Sequence, residues 1–265
     1  MLSSLSSQTL NSTQALIQQY IQQISSGSSI NSAADNPAGL AIADAMTTQL
    51  GGQNQAISNI TSGLSVTGTA DSALSQVTDN LQQLRNLTIQ AGDGALNSTD
   101  LQALQTQVSS ITQNIDAISG NTQFNGQALL NGSYSGQLQV GPNTGDTLNL
   151  NLGNVSSSAL GISGINVTTA SGANNALTAI DNALNNVSTL QSNVGATSAG
   201  LNTNLSNLNS SYVQLAQSQS NLQDTNILQA VSGLSQANVL GQAQIYALKQ
   251  YQQNQQMFAS SLLSA

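Results

Sequence analysis

The stretch LQALQTQVSSITQNIDAIS, residues 101–119, places apolar side chains at Leu101, Leu104, Val108, Ile111, Ile115 and Ile118. The intervals run three, four, three, four, three, the period of a helix lying lengthwise on another helix. Just upstream, Ser98 and Thr99 are candidate caps. Thr99 with Gln102 fits a capping box, in which each side chain satisfies a free backbone amide of the other.

Working outward, the same period recurs on both sides. Ile57, Ile60, Leu64, Ala70, Leu74, Val77, Leu81, Leu84 and Leu87 predict an earlier helix ending near the glycines of IQAGDGALN, residues 89–97. Leu177, Ile180, Leu184, Val187, Val194, Leu201, Leu205, Leu208, Tyr212, Leu215 and Leu222 keep heptad phase, with polar lapses at Gln191, Ser198 and Gln219. Gly195 and Gly200 weaken that helix by roughly 1 kcal/mol each relative to Ala. Unbroken, 177–222 would extend about 69 Å at 1.5 Å per residue, which predicts a rod. At the ends, Leu2, Leu5, Leu10, Leu16, Ile17, Tyr20, Ile21 and Ile24 mark one amphipathic stretch. Ile227, Val231, Leu234, Ile245, Leu248, Leu262 and Leu263 mark another. Each alone is a marginal helix, because helical stability in water comes mostly from burying the apolar face, so the two are expected to pair.

Between the helices, QLQV (137–140) and TLNLNL (147–152) alternate apolar and polar around GPNTG and predict a small β-hairpin. Residues 155–172 read as polar linker. The expected fold is mainly α: a long antiparallel coiled-coil or bundle rod with paired N- and C-terminal helices and a small β-hairpin region. The expected divisions are 1–38, 39–170, 171–222 and 223–265.

Composition narrows function sharply. The chain has no His, Cys or Glu; its acids are ten Asp, and its only bases are Arg85 and Lys249. Imidazole, thiolate and Glu supply most acid–base groups, nucleophiles and metal ligands, so no enzyme activity, cofactor or metal site is expected. Two distant bases cannot neutralise a phosphate backbone, which removes nucleic acid as a partner. No stretch is apolar for some 18 residues, so membrane insertion is not expected, and the first residues lack the pattern of a cleaved signal. Asn-x-Ser/Thr triplets at Asn11, Asn97 and Asn131 arise readily by chance in a chain so rich in these residues. Tyr20, Tyr212, Tyr246, Tyr251, Met257 and Phe258 read as packing residues.

The stretch ISSGSSINSAADNPAGLAIA (24–43) interrupts two helical segments with small, polar and turn-forming residues. Together with NLQQLRNLTIQA (80–91), NTQFNGQALLNG (121–132), LQDTNILQAVSGLSQANVL (222–240) and a closing SLL at 261–263, it resembles bacterial flagellin across nearly the whole chain. At this length the resemblance is to a minimal, core-only form. It implies N- and C-terminal helices paired as an inner core and middle helices with the hairpin as an outer core. Residues 24–43, with Gly27, Asn31, Asp35, Pro37 and Gly39, become the spoke between these layers; without the resemblance they are an interhelical turn.

The resemblance further implies a secreted, self-polymerising structural subunit of the flagellar filament that serves swimming motility. Its implied partners are the hook–filament junction and cap proteins, an export chaperone and the flagellar type III apparatus. Inter-subunit or core packing would fall on Leu2, Leu5, Leu16, Ile17, Ile21, Ile24, Ile227, Val231, Leu234, Ile245, Leu248, Leu262 and Leu263. Alternatives are the hook–filament junction protein, which is similar at both ends, and an adhesive surface module carried on the filament. An animal Toll-like receptor reads many flagellins through an Arg, a Leu and a Glu. The matching positions here are Gln83, Leu87 and Gln107, so both charged contacts are lost and receptor activation is not expected. Where the family places charges along its helices this chain has Gln, Asn and Ser, which suggests contacts that do not titrate in an acidic exterior. Protonating all ten Asp would move the formal charge only from −8 to −8 + 10 = +2.

Overall fold

A computed structural model describes the backbone of residues 2–263 and the side chains of 7–260. Among the described residues there are five helices: α1 Leu2–Ser26, α2 Pro37–Ala91, α3 Ser98–Asn121, α4 Ala170–Gln223 and α5 Ile227–Leu263. Four short strands lie between α3 and α4: β1 Gln123–Phe124, β2 Gln127–Ala128, β3 Ser135–Gln139 and β4 Thr147–Asn151. The chain divides into two compact units, one made of 1–50 with 213–265 and the other of 51–212.

In the unit 51–212, Leu74, Val77, Leu81 and Leu84 of α2 share a core with Leu104, Val108 and Ile115 of α3 and Ile180, Ala183 and Val187 of α4. This is the three–four period put to use: Leu101, Ile111 and Ile118 pack against the same cluster from its edge. Arg85 on α2 pairs with Asp181 on α4 at 2.7 Å, with both side chains nearly half exposed. Such a pair contributes little to stability.

The predicted caps of α3, Ser98 and Thr99, lie one and two residues past the observed one. Asn97 is the cap, its Oδ1 accepting from the amides of Thr99 (2.8 Å) and Asp100 (3.0 Å), while Asp100 accepts from the Asn97 amide at 3.4 Å. The reciprocal box is therefore Asn97 with Asp100, not Thr99 with Gln102. This register brings a carboxylate to the positive end of the helix.

The predicted hairpin is present, with Leu138 opposite Leu148 and Gly136 opposite Leu150. It is seated on α2: Asn59 Nδ2 donates to the Gln139 carbonyl at 3.1 Å. A Cβ on Gly63 would lie 2.5 Å from Leu138 Cδ2, so the glycine makes room for that leucine. A second, two-residue hairpin (β1, β2) turns at Asn125 and Gly126, both with positive φ, the backbone that Asn-Gly favours.

Residues 155–172 are not linker. Val155, Leu160, Ile162 and Val167 are buried in the core. Two α3 side chains hold the segment there. Asp116 accepts from the Ser157 amide and hydroxyl, both at 2.8 Å. Gln105 donates to the Ile165 carbonyl at 3.0 Å and accepts from the Val167 amide at 2.8 Å.

Candidate functional site

The other unit pairs α1 with α5. Along α1, the less exposed positions Leu10, Thr13, Ile17, Tyr20 and Ile24 fall at intervals of three, four, three, four, with Gln23 beside the last. Along α5, Ala230, Leu234, Ala237, Gly241, Gln244 and Leu248 fall at intervals of four, three, four, three, four, with Gly233 beside Leu234. These two seams meet in antiparallel fashion. Tyr20 lies over Gly233, where an added Cβ would sit 2.5 Å from its ring, and Thr13 and Ile17 lie over Gly241. Small residues on α5 let the two backbones approach closely.

The pair is closed at one end by backbone hydrogen bonds. Gly27 ends α1 with φ +71° and donates to the Gln23 carbonyl at 2.9 Å. Ser29 then donates to the Gln223 carbonyl at 2.6 Å, and Thr225 to the Gly27 carbonyl at 2.9 Å. Ser28 Oγ adds a donor to the Gln223 carbonyl at 3.0 Å. The segment entering α2 is thus stapled to the one entering α5.

The turn that follows is organised by two side chains. Asp35 Oδ2 accepts from the amides of Asn31 (3.1 Å) and Ser32 (2.9 Å) and from the Ser32 hydroxyl (3.1 Å). These donors, the Asn31 amide foremost, hold its carboxyl below the usual carboxylate range despite full exposure. Asn36 caps α2 by accepting from the Gly39 amide at 2.9 Å, with Pro37 at the first helical position where its missing N–H costs nothing. Gly39 is buried against Ile30, whose Cδ1 would lie 2.7 Å from an added Cβ.

The apolar residues singled out in the sequence fall into two sets. Ile17, Ile24, Leu234 and Leu248 belong to the seam. Leu16, Ile21, Ile227, Val231 and Ile245 point outward, joined by Leu228, which is 85% exposed, and by Val239 and Leu240. The side chains of Leu2, Leu5, Leu262 and Leu263 lie outside the described residues. Thr13, Ala230, Ala237, Gly241 and Gln244 were not anticipated, because small and polar residues are silent in a search for large apolar ones. Their signal is the unbroken heptad spacing. In the other unit, Gln83 and Gln107 are exposed and Leu87 is half-buried.

Among the described residues no cluster of three potential metal ligands occurs, and no helix is long and apolar enough to cross a membrane.

Comparison with known proteins agrees with the architecture. Residues 1–135 match the bacterial flagellin N-terminal helical region, and residues 177–262 match the bacterial flagellin C-terminal helical region. Flagellin of Escherichia coli O127:H6 is 40% identical over 181 residues, which is 68% of this chain and 33% of that protein. The chain spans about a third of the length of that relative. The crystal structure of Bacillus cereus flagellin aligns over 57% of this chain and 88% of its own, with a TM-score of 0.53 and 26% identity. A Vibrio parahaemolyticus structure described as a flagellar hook-associated protein aligns over 72% of this chain and 100% of its own, with a TM-score of 0.61. At 16% identity that last likeness concerns the fold alone.

Proposed function

The chain belongs to the bacterial flagellin family, and from that premise we propose that it is a structural subunit that polymerises with copies of itself into the extracellular filament of the bacterial flagellum. The observation that carries this reading is the outward apolar face of the α1/α5 pair, with Leu16, Ile21, Leu228, Val231, Val239 and Leu240 all exposed. A side chain of this size gains roughly 1.5 to 3 kcal/mol when fully buried. Several buried together outweigh the ordering entropy of association. A patch that meets a different patch on the next copy, through a rotation that does not close, builds a helix and not a ring.

In this reading residues 1–38 and 223–265 form the inner layer around the filament axis, and 39–170 with 171–222 the outer core. Residues 24–43 carry the spoke between them. Export proceeds through the flagellar type III apparatus with a chaperone, and junction and cap proteins bound the filament. The function is mechanical, in keeping with a chain that lacks His, Cys and Glu.

The test is electron microscopy of purified chain after seeding or salting out, comparing wild type with Leu228→Asp. Wild type is expected to form thin helical filaments. The variant is expected to stay monomeric while its far-ultraviolet circular dichroism remains unchanged. Wild type that never polymerises overturns the reading. A hook–filament junction role is the alternative; it predicts a few copies per flagellum, where the filament predicts thousands.

A further inference from the structure

The chain contains two Asn-Gly pairs, Asn125–Gly126 and Asn131–Gly132, and all four residues are exposed. In such a pair the carboxamide carbon of the asparagine meets least obstruction at the next backbone nitrogen, because glycine has no Cβ. The surroundings of the two pairs differ.

Asn131 is tied down. Its Oδ1 accepts from the Ser133 amide at 3.0 Å and from the Ser133 hydroxyl at 2.6 Å, an Asx-turn. The preceding residue, Leu130, is buried, and its carbonyl accepts from the Val155 amide at 2.9 Å and the Ser119 hydroxyl at 2.8 Å. Asn131 also forms a β-bridge with Asn154, and a Cβ on Gly132 would lie 3.0 Å from the Asn154 Cβ. Asn125 is free by comparison. It sits at the tip of the β1–β2 hairpin, and its carboxamide has no hydrogen-bond partner among the described residues. A Cβ on Gly126 would meet nothing within 4 Å. The hairpin is held by only two residue pairs, Gln123 with Ala128 and Phe124 with Gln127. A ladder this short opens locally at little cost, which lets the backbone of the turn rotate.

We propose that Asn125 is a site of spontaneous deamidation, and that Asn131, with the same following residue, is protected by its hydrogen bonds. The Gly126 amide gives its proton to hydroxide, and its nitrogen attacks Asn125 Cγ. A nitrogen–carbon bond forms, the Cγ–Nδ2 bond breaks, and the departing nitrogen takes a proton from water to leave as ammonia, which regenerates the hydroxide. Water then adds to either carbonyl of the five-membered imide and opens it to aspartate or isoaspartate, so the net exchange is one water in and one ammonia out. Both products place a carboxylate at the hairpin tip beside the half-buried Phe124. Isoaspartate also adds a carbon to the main chain, which a two-residue turn absorbs only by disturbing the pairing of Phe124 with Gln127. At Asn131 the same ring closure is slower, because Oδ1 must first leave both Ser133 donors.

The experiment incubates the full chain at pH 8 and 37 °C in buffer and, in parallel, in 8 M urea. Chymotrypsin then cuts after Phe124, Leu130 and Tyr134 and puts the two asparagines on separate peptides, whose conversion to the acid is read by mass spectrometry. In buffer Asn125 is expected to convert at least about tenfold faster than Asn131, the protection that two hydrogen bonds supply. In urea the two rates are expected to converge. Equal rates in buffer overturn the proposal, as does an Asn125 that converts only in urea. A preference for Asn125 that persists undiminished in urea belongs to the flanking sequence and overturns it too. Ser133→Ala, at an exposed position, removes one donor and is expected to speed conversion of Asn131 several-fold while leaving Asn125 unchanged; an unaltered Asn131 rate overturns the protective role of that hydroxyl.

Discussion

At the residue scale, the entry to α2 depends on backbone conformations and donors that few side chains supply. Gly27 sits at φ +71°, where a Cβ is strained against the following carbonyl whatever space surrounds it. Gly27→Ala is expected to destabilise the α1/α5 unit by about 1 kcal/mol, read as an earlier loss of helicity in urea. Asp35 acts through charge. Its folded-state pKa is depressed by the amides of Asn31 and Ser32, so its stabilisation is complete above the ordinary Asp value, about 3.9, and is lost as pH falls through the lower folded value. Asp35→Asn is therefore expected to weaken the turn at pH 7 and to make little difference near pH 2. Amide hydrogen exchange at Asn31 and Ser32 checks this. The position of both residues in a turn was legible from Gly, Asn, Asp and Pro in close succession. The tie of Gly27 and Ser29 to residues 223–225 was not, because it joins positions nearly 200 apart through backbone atoms common to every residue.

At the element scale, α1 and α5 show how a helix pair hides its own seam. The large apolar residues of α5 point mostly outward, while Ala230, Ala237 and Gly241 face α1. A search for Leu and Ile at helical spacing therefore finds both faces at once and cannot divide them. Gln244 is the weak point of this seam: its Oε1 is buried without a hydrogen-bond partner. Gln244→Leu removes an unsatisfied acceptor, so it is expected to stabilise the pair by about 1 kcal/mol, measured by chemical denaturation. In the other unit, the buried apolar residues of 155–167, Val155, Leu160, Ile162 and Val167, fall at intervals of five, two and five, which fit no helix or strand. Burial of that segment depends on Asp116 and Gln105 reaching out from α3. Asp116→Ala leaves the Ser157 amide and hydroxyl without their acceptor and is expected to cost about 1 to 3 kcal/mol, with faster proteolysis around Ser158.

At the scale of the molecule, the two units differ in how much they bury. The unit 51–212 owns the continuous core from α2 through α4, whereas among the described residues of the other the buried apolar side chains are Ile30, Ala43, Ala230 and Ala237. Local stability follows buried apolar contact, so unfolding of the monomer is expected to depart from a single cooperative step. The α1/α5 unit should melt first, seen as protease cleavage in 1–50 and 213–265 at temperatures where 51–212 resists. Assembly should abolish the difference, because copies then cover the outward face. Monomers equally resistant throughout would contradict this.

Heptad spacing alone determined that this chain is helical, where most of its helices run, and that its two ends belong together, because a one-dimensional pattern of large apolar residues records the period of the surface they must cover. The missing His, Cys and Glu likewise set the expectation of a structural role before any fold was known. Tertiary structure decided which side of each terminal helix is inward, how residues 155–167 are buried, and what staples the turn to α5. Those depend on small side chains, single hydrogen bonds and backbone carbonyls, whose partners are specified by proximity in space and leave no periodic trace along the chain.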